Sequence, residues 1–473
     1  MIALGAGSPL GPLWGEYRRS KVGLAGLALF AALLAFSALA IALVPLDSYR
    51  QWNNPSHWAE YPRAAPPAWT NWMTGLRLPE HMVLRNPMEH QSASDWVRVV
   101  THTYRFAFPY ESFPNDFIFK FSLKYGRSPP LVELSAERPD GVRMLLARIS
   151  PPPRPEGSGA RAYNSAIFST DASLKVNLAN YLAERLGAVT SPDAISPERM
   201  IFAKEGPSMA EGGTSVLKGD YIFQARFFLF GKGDEVLSSA LVIGGKVFGL
   251  FGTDDLRRDL SVGILWGTPI ALSIGISVAV LSVSIGIAYG VISGYYGGRL
   301  DELMMRLNDI AYAIPALPFL ILLALSLGRS LLYIMAYLVL FGWVGIAKVA
   351  RSVALQIKAA PYIEAVELLG APSRRIIFRH IAPQLIPYAI ANIALSVPAA
   401  ILAEAGLSFL GLGDPTMPTW GQILHDAQLH GAAIRGLWWW ALSPGIMLAG
   451  SSLAFVMIGY ALERALNPRI RGA

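Results

Sequence analysis

Cysteine is absent from the 473 residues. A disulfide framework, a thiolate metal site and a cysteine nucleophile are all excluded. Charge is scarce: 15% of the chain is Asp, Glu, Lys or Arg, where an ordinary soluble domain carries about 25%. The seven histidines show no HExxH and no paired spacing, so no histidine metal pattern is present. No GxxxxGK[ST] occurs either. Gly244-Gly245-Lys246 lacks the upstream glycine and is followed by Val247, so it forms no phosphate loop. The apolar runs hold no Asp–His or Asp–Lys relay of the kind proton-coupled carriers use, and no inverted repeat is visible. The chain shows neither an ATP site nor an ion-coupling site of its own.

What is abundant is apolar sequence, 53% by residue type. It is gathered into runs long enough to cross a bilayer, which takes about 20 helical residues. Six spans are expected, at 22–44, 266–293, 303–327, 331–349, 385–402 and 437–462. The first follows Arg18, Arg19 and Lys21. It is too long for a signal-peptide core and lacks a small-residue cleavage site, so it reads as a retained anchor. Basic residues crowd the short loops on one side of these spans, including Arg299, Arg351, Lys358, Arg374, Arg375, Arg379 and Arg464. The short loops on the other side hold only Arg329 and Arg435. The positive-inside rule then places both termini in the cytoplasm and the large polar insert outside. It also accounts for the net charge of +7, so nucleic-acid binding is not implied.

Three regions follow: 1–45, a cytoplasmic N-terminus and first anchor; 46–251, the extracytoplasmic insert; 252–473, a five-span core. The insert opens on a stretch rich in Pro, Trp and Tyr over 46–72, which suits a headgroup-level lead-in. Short β-branched and aromatic runs follow at 97–108, 116–125, 131–136 and 142–149, with turn signals such as Pro139-Asp140-Gly141. A Pro/Gly-rich loop covers 151–159, an amphipathic helix 171–186, and strands return at 221–231 and 236–247. This predicts a β-sandwich with one helix. It serves either as a stabilising spacer or as a docking surface for an external protein. No nucleophile elbow or carboxylate pair suggests an enzyme.

The most specific stretch lies between the fourth and fifth spans, within about 350–383: YIEAVELLGAPSRRIIFRHIAP, from Tyr362 to Pro383. Pro361 suits the first turn of a helix, where its missing N–H is not needed. Glu364 in that first turn complements the helix dipole. Gly370 ends or bends the helix, and Pro372 starts a second one carrying Arg374, Arg375 and Arg379. By composition the loop is either a dock for a cytoplasmic partner or an amphipathic segment on anionic lipid.

Glu364-Ala365, Gly370 and Ile381-Ala382-Pro383 resemble the EAA loop of ABC-importer permeases, with Val366 where the pattern has its second alanine. The flanks agree. Gly252, Thr253, Asp254, Arg258 and Asp259 resemble the GTDxxGRD segment of dipeptide and oligopeptide permeases, with Arg257 in place of the glycine. Physically, Thr253 or Asp254 can cap a short helix leading into the membrane. Gly294-Tyr295-Tyr296-Gly297-Gly298, Ala403-Glu404-Ala405, Leu407 to Gly413, Trp420-Gly421 and the tail Asn467-Pro468-Arg469 also fit. The resemblance covers about 10–50 and 250–473 and points to the DppC- or OppC-like class of peptide/nickel importers. The insert departs from it.

The resemblance implies a mainly helical, six-span MetI-like type I permease core in a prokaryotic cell membrane. It implies a second homologous permease as a heterodimer partner, two cytoplasmic ABC ATPases gripping the EAA loops, and an extracellular solute-binding protein. ATP and Mg would sit on the ATPases, with no cofactor, metal or catalytic residue on this chain. Pro361, Glu364, Ala365, Gly370, Arg374 and Arg375 would form the coupling site. Peptides are the expected cargo, with nickel complexes and oligosaccharides as alternatives. A stand-alone secondary transporter or channel is the rival class. Glu404, the one acid near the end of an apolar span, is either part of a structural turn or a pathway residue at the outer mouth. Gly275, Gly286 and Gly290 stand in small-residue rows that let helices approach closely, within the chain or against a partner permease.

Overall fold

A computed structural model describes residues 11–466, apart from 95, 155–160, 188–189 and 205–214. The tail motif at 467–469 and most of the 151–159 loop lie outside the described residues. The chain divides into two units, Met1–Asn53 with Ser261–Ala473, and Asn54–Leu260.

The first unit is helical. Among the described residues, five helices are long and apolar enough to cross a membrane: Lys21–Leu43, Leu260–Tyr296, Leu331–Lys358, Ser373–Phe409 and Trp438–Ala465. A bent pair, Gly298–Ala313 with Ala316–Leu327, makes a sixth if it is counted as one span. A single straight span was expected over 303–327, but these two helices meet at 81°. Pro315 is the cause. It disfavours helical backbone in the residue before it, and Ile314 is extended at φ −72°, ψ 124°. The first of the two helices is also amphipathic, with Asp301, Glu302, Arg306 and Asp309 on it.

Close helix contacts in this unit fall at glycines. Gly23 and Gly26 on the first helix sit against the last one: a Cβ there would lie 2.6 Å from Ala461 Cβ and 2.8 Å from Met457 Cβ, respectively. Phe30 meets Phe455 edge-on at 5.2 Å. Ser20 caps the first helix, accepting from the Gly23 N–H at 3.1 Å.

The second unit is a two-sheet sandwich. The strands are β1 (Met82–Leu84), β2 (Met88–Ala93), β3 (Arg98–Phe108), β4 (Asp116–Tyr125), β5 (Leu131–Glu137), β6 (Arg143–Ile149), β7 (Arg161–Phe168), β8 (Gly219–Leu229) and β9 (Glu235–Gly244). One sheet runs β1-β9-β4-β7, the other β2-β3-β8-β5-β6. Alternate residues turn inward with the period of two that strands impose. Phe117, Phe119, Phe121, Leu123 and Tyr125 do so on β4, and Tyr221, Phe223, Ala225, Phe227 and Leu229 on β8. The helix Ala172–Leu186 buries Leu174, Leu178 and Leu182, one side chain per turn, in the same core. Strands β1, β2 and β7 were not anticipated. In β2 all six residues are exposed, so no alternation marks it.

The aromatic lead-in also differs from expectation. Trp52 and Trp58 are each 1% exposed; they are packed inside protein rather than laid at a headgroup layer. Trp69 and Trp72 are the exposed pair of that stretch.

Candidate functional site

The loop between the Leu331–Lys358 and Ser373–Phe409 helices folds as helix, left-handed corner, helix. Ala360 is the N-cap and Pro361 opens the helix Pro361–Leu368. Gly370 takes φ +78°, a conformation a side chain resists. Its N–H donates to Glu367 O at 2.9 Å, and Ala371 N–H donates to Val366 O at 3.3 Å. Pro372 then caps Ser373–Ile376. A π turn over Ile377–Ile381 continues without a break into Ala382–Phe409.

The inner face of the short helix is held by Ile363, with Val366 half-buried beside it. Ile363 is fully buried in a cluster with Val291, Tyr295, Ala354, Ile376 and Ile381. The opposite face is open. Glu364, Ala365, Gly370, Arg374 and Arg375 are all exposed, and Leu368 and Leu369 are 83% and 86% exposed. Two bare leucines at a polar corner, backed by a buried isoleucine, form a knob rather than a lipid-lying stripe.

Polar ties set this knob against the end of the second long helix. Tyr295 OH donates to Glu367 Oε1 at 3.3 Å, and Lys358 Nζ donates to Tyr295 O at 2.6 Å. Two turns before Lys358 on its helix, Arg351 grips Asp301 with two bonds, Nε to Oδ1 at 2.6 Å and Nη2 to Oδ2 at 2.5 Å, and Ser293 Oγ also donates to Asp301. In the sequence Arg351 stands out only as a topology charge. Its partner was concealed because the expected third span began at 303, which left Asp301 in a loop.

The glycine rows face this chain's own helices. A Cβ on Gly275 would meet Ile401 Cγ1 at 2.7 Å, and one on Gly286 would meet Trp343 O at 2.8 Å. Gly290 lies against Ala347 O and Ala350. Glu404 is 3% exposed. Its Oε1 accepts from Ser408 Oγ at 2.6 Å, and Thr419 also bonds its carboxylate. Thr419 in turn caps the helix Trp420–Leu429, accepting from Gln422 N–H at 3.2 Å. Gly421 closes on Ala405 O. Glu404 thus ties the end of one helix to the start of the next.

The Gly252–Asp259 segment forms a turn, not the capped helix expected of it. The Asp254 carboxylate accepts from Leu256 N–H at 2.9 Å, Arg258 N–H at 2.8 Å and Arg258 Nε at 2.5 Å. Asp254 spends its oxygens on closing the turn, and a Thr253–Asp259 bridge completes it. Burial pushes the Asp254 carboxyl up, and Arg258 opposes that shift. Thr253 Oγ1 donates to Pro62 O at 2.7 Å. Arg257, where the resemblance has glycine, sits at φ +66°. It keeps the backbone conformation glycine would favour and adds two bonds, Nη1 to Tyr61 O at 2.7 Å and Nη2 to Asp116 Oδ2 at 2.5 Å.

Comparison with known proteins identifies the family of the helical unit. Residues 286–472 match the family of binding-protein-dependent transport system inner membrane components. The chain is 38% identical over 222 residues to the oligopeptide transport system permease protein OppC of Bacillus subtilis (strain 168), covering 47% of this chain and 72% of that protein. It is equally identical to the dipeptide transport system permease protein DppC of the same organism, covering 47% and 69%. A solved structure of the MetNI methionine ABC transporter in an inward-facing conformation aligns at a TM-score of 0.37 and 16% identity, over 43% of this chain and 96% of that one. The chain belongs to the binding-protein-dependent transport family and is a membrane-embedded permease component. The β-sandwich lies outside the 286–472 match.

Proposed function

We propose that this chain forms half of the translocation pathway of an ATP-driven importer of short peptides, paired with a second, homologous permease. The helix Pro361–Leu368 is its contact with a cytoplasmic ATPase, and ATP and Mg bind on that partner. The observation that carries this reading is the knob: Ile363 anchored inside, with Glu364, Ala365, Leu368 and Leu369 presented outside. Similarity to oligopeptide and dipeptide permeases supports the cargo class.

The chain's own contacts give the mechanical route. ATP-driven closure of the ATPase pair draws the two loop helices together. In this chain the displacement passes through Ile363 and the Glu367–Tyr295–Lys358 ties into the end of the Leu260–Tyr296 helix. The Arg351–Asp301 pair keeps the neighbouring helices moving as one body. Bidentate charge-assisted bonds of this kind fix relative orientation as well as adding energy. The permease pair rocks from inward-facing to outward-facing, and an external binding protein delivers the peptide. In this orientation both termini are cytoplasmic and the sandwich is outside. Glu404 stands at the outer end of the pathway, where it holds the corner to Trp420. The insert meets the binding protein; Trp96, 87% exposed beside the β2–β3 turn, is the type of side chain that dominates protein interfaces.

Co-purification from gently solubilised membranes tests the assembly. Recovery of a second permease and P-loop ATPases is expected; a stable, solitary chain active in uptake would establish the channel or secondary-transporter reading instead. Glu364→Lys and Gly370→Pro test the loop. Proline fixes φ near −65° and cannot hold the +78° corner. Both variants are expected to lose ATP-dependent uptake, and normal uptake with normal ATPase binding would overturn the assignment.

A further inference from the structure

The outer face of the four-stranded sheet carries a concavity that transport through the helical unit does not use. Strand register sets its floor. Ser122 on β4 lies between Asn164 on β7 and Ser238 on β9. Lys120, two residues earlier, lies between Ala166 and Ala240. Residues two apart on a strand share a face, so all six project from the same side. Four of them are Ala or Ser, and short side chains leave the sheet surface low. The resulting groove has a volume of about 410 Å³, inside the range of about 300–1,000 Å³ typical of small-molecule sites.

Glu60 and Arg85 rise at its side. Glu60 divides its carboxylate between two cations: Lys120 Nζ donates to Oε1 at 2.7 Å and Arg85 Nη2 to Oε2 at 2.5 Å. Burial alone would raise the Glu60 carboxyl, but Lys120 and Arg85 hold it below the usual carboxylate range. One ionised acid against two cations leaves one positive charge in excess. Both cations keep donors to spare, since a guanidinium has five N–H groups and an ammonium three. Their side chains remain 64% and 37% exposed. Across the floor, Asn164, Ser122 and Ser238 form a row of neutral donors and acceptors.

We propose that this groove is a second, accessory peptide site, in which Arg85 and Lys120 bind the terminal carboxylate of a short peptide and the Asn164–Ser122–Ser238 row bonds its amides. The assignment of a peptide rests on the cargo reading above. The carboxylate requirement rests on the groove itself.

The test uses the full chain in lipid nanodiscs, without ATPase or binding protein. Calorimetric titration with trialanine is compared with titration of trialanine amide, which lacks the terminal charge. Amidation is expected to weaken binding about tenfold or more, roughly the 1.4 kcal/mol per decade of affinity. Lys120→Gln is expected to do the same. Ser238→Trp fills the floor without touching the ion cluster and is expected to abolish binding, so a folding defect from the charge change cannot mimic the result. Equal binding of trialanine and its amide, unchanged binding in Ser238→Trp, or no binding at about 1 mM peptide would each overturn the site. Uptake by the assembled importer is measured in parallel. Peptide uptake without groove binding removes only the accessory site, whereas absence of peptide uptake removes the cargo reading and with it this choice of ligand.

Discussion

The two units of this chain solve packing in opposite ways. The helical unit brings backbones together by omitting side chains, at Gly23, Gly26, Gly275, Gly286 and Gly290. The sandwich fills its interior with rings: Phe106, Phe108, Phe119, Phe202, Tyr221, Phe223 and Phe227 touch one another at centroid distances from 4.5 to 6.4 Å. The solvent accounts for the difference. Lipid tails are as apolar as leucine, so burying a large side chain between membrane helices gains little, and close backbone contact is what remains to be gained. In water each large apolar side chain buried adds about 1.5–3 kcal/mol, and aromatic pairs add about 0.5–1.5 kcal/mol more.

Exchanging side chains between the two packing strategies has the largest expected effect. Gly290→Leu puts a branched side chain where Ala347 O and Ala350 already stand. Backbone carbonyls cannot rotate aside, and the expected outcome is loss of the folded chain, read as disappearance of the monodisperse peak in detergent. Phe223→Ala in the sandwich removes a fully buried ring. It is expected to cost about 3–5 kcal/mol, read as a lower midpoint of the insert's unfolding while the helical unit's transition stays in place. A Gly290→Leu chain that purifies normally, or a common shift of both transitions in Phe223→Ala, would show that the two units do not pack by separate rules.

Legibility followed the same division. In the insert the period-two alternation of Phe117 to Tyr125 and of Tyr221 to Leu229 marked β4 and β8 almost to the residue, because one face is buried and the other solvated. In β2 it failed, since no residue there is buried. In the helical unit, hydropathy located the long helices but not their breaks. Pro315 carried the signal for the bend at 314–315, yet a proline inside an apolar run is common enough in membrane helices to pass for a kink. The Pro361–Gly370–Pro372 punctuation of the loop was readable from turn chemistry alone. The identity of its anchor was not. Ile363 is buried while Leu368 and Leu369 are bare, and nothing local separates one aliphatic residue from another. The Arg351–Asp301 pair and the Arg257–Asp116 tie join distant positions, which a single sequence does not pair.

A smaller effect is electrostatic and lies in the insert. His81 is pushed down to about 4, chiefly by burial; Asp116 pulls it up, Arg257 pushes it further down, and Glu60 pulls it up. Its Nδ1 is buried with no hydrogen-bond partner among the described residues. The unfolded chain takes up this proton near pH 6.5, whereas the folded one does so only near 4. Between those values the unfolded state binds more protons, so the insert loses stability as pH falls from about 6.5 to 4. That displacement corresponds to about 3 kcal/mol. His81→Phe is expected to flatten this part of the stability–pH curve, measured by denaturant titration at fixed pH steps. An unchanged slope would assign the acid sensitivity to the carboxylates.

The finest test separates backbone from side chain at Arg257. Its φ of +66° costs a residue with a Cβ about 1 kcal/mol relative to glycine, while its two bonds, one of them to the Asp116 carboxylate, return about 1.5–3 kcal/mol each when a charged group is involved. Arg257→Ala loses the bonds and keeps the strain. Arg257→Gly loses the bonds and relieves it. Glycine is therefore expected to be the milder replacement by about 1 kcal/mol, although alanine is the nearer in bulk, and both are expected to loosen the turn that leads into the Leu260–Tyr296 helix. Hydrogen exchange at the Leu256 and Arg258 amides, which the Asp254 carboxylate holds, reads that loosening directly. If alanine and glycine behave alike, the left-handed turn is imposed by Asp254 alone, and Arg257 contributes only its contacts to Tyr61 and Asp116.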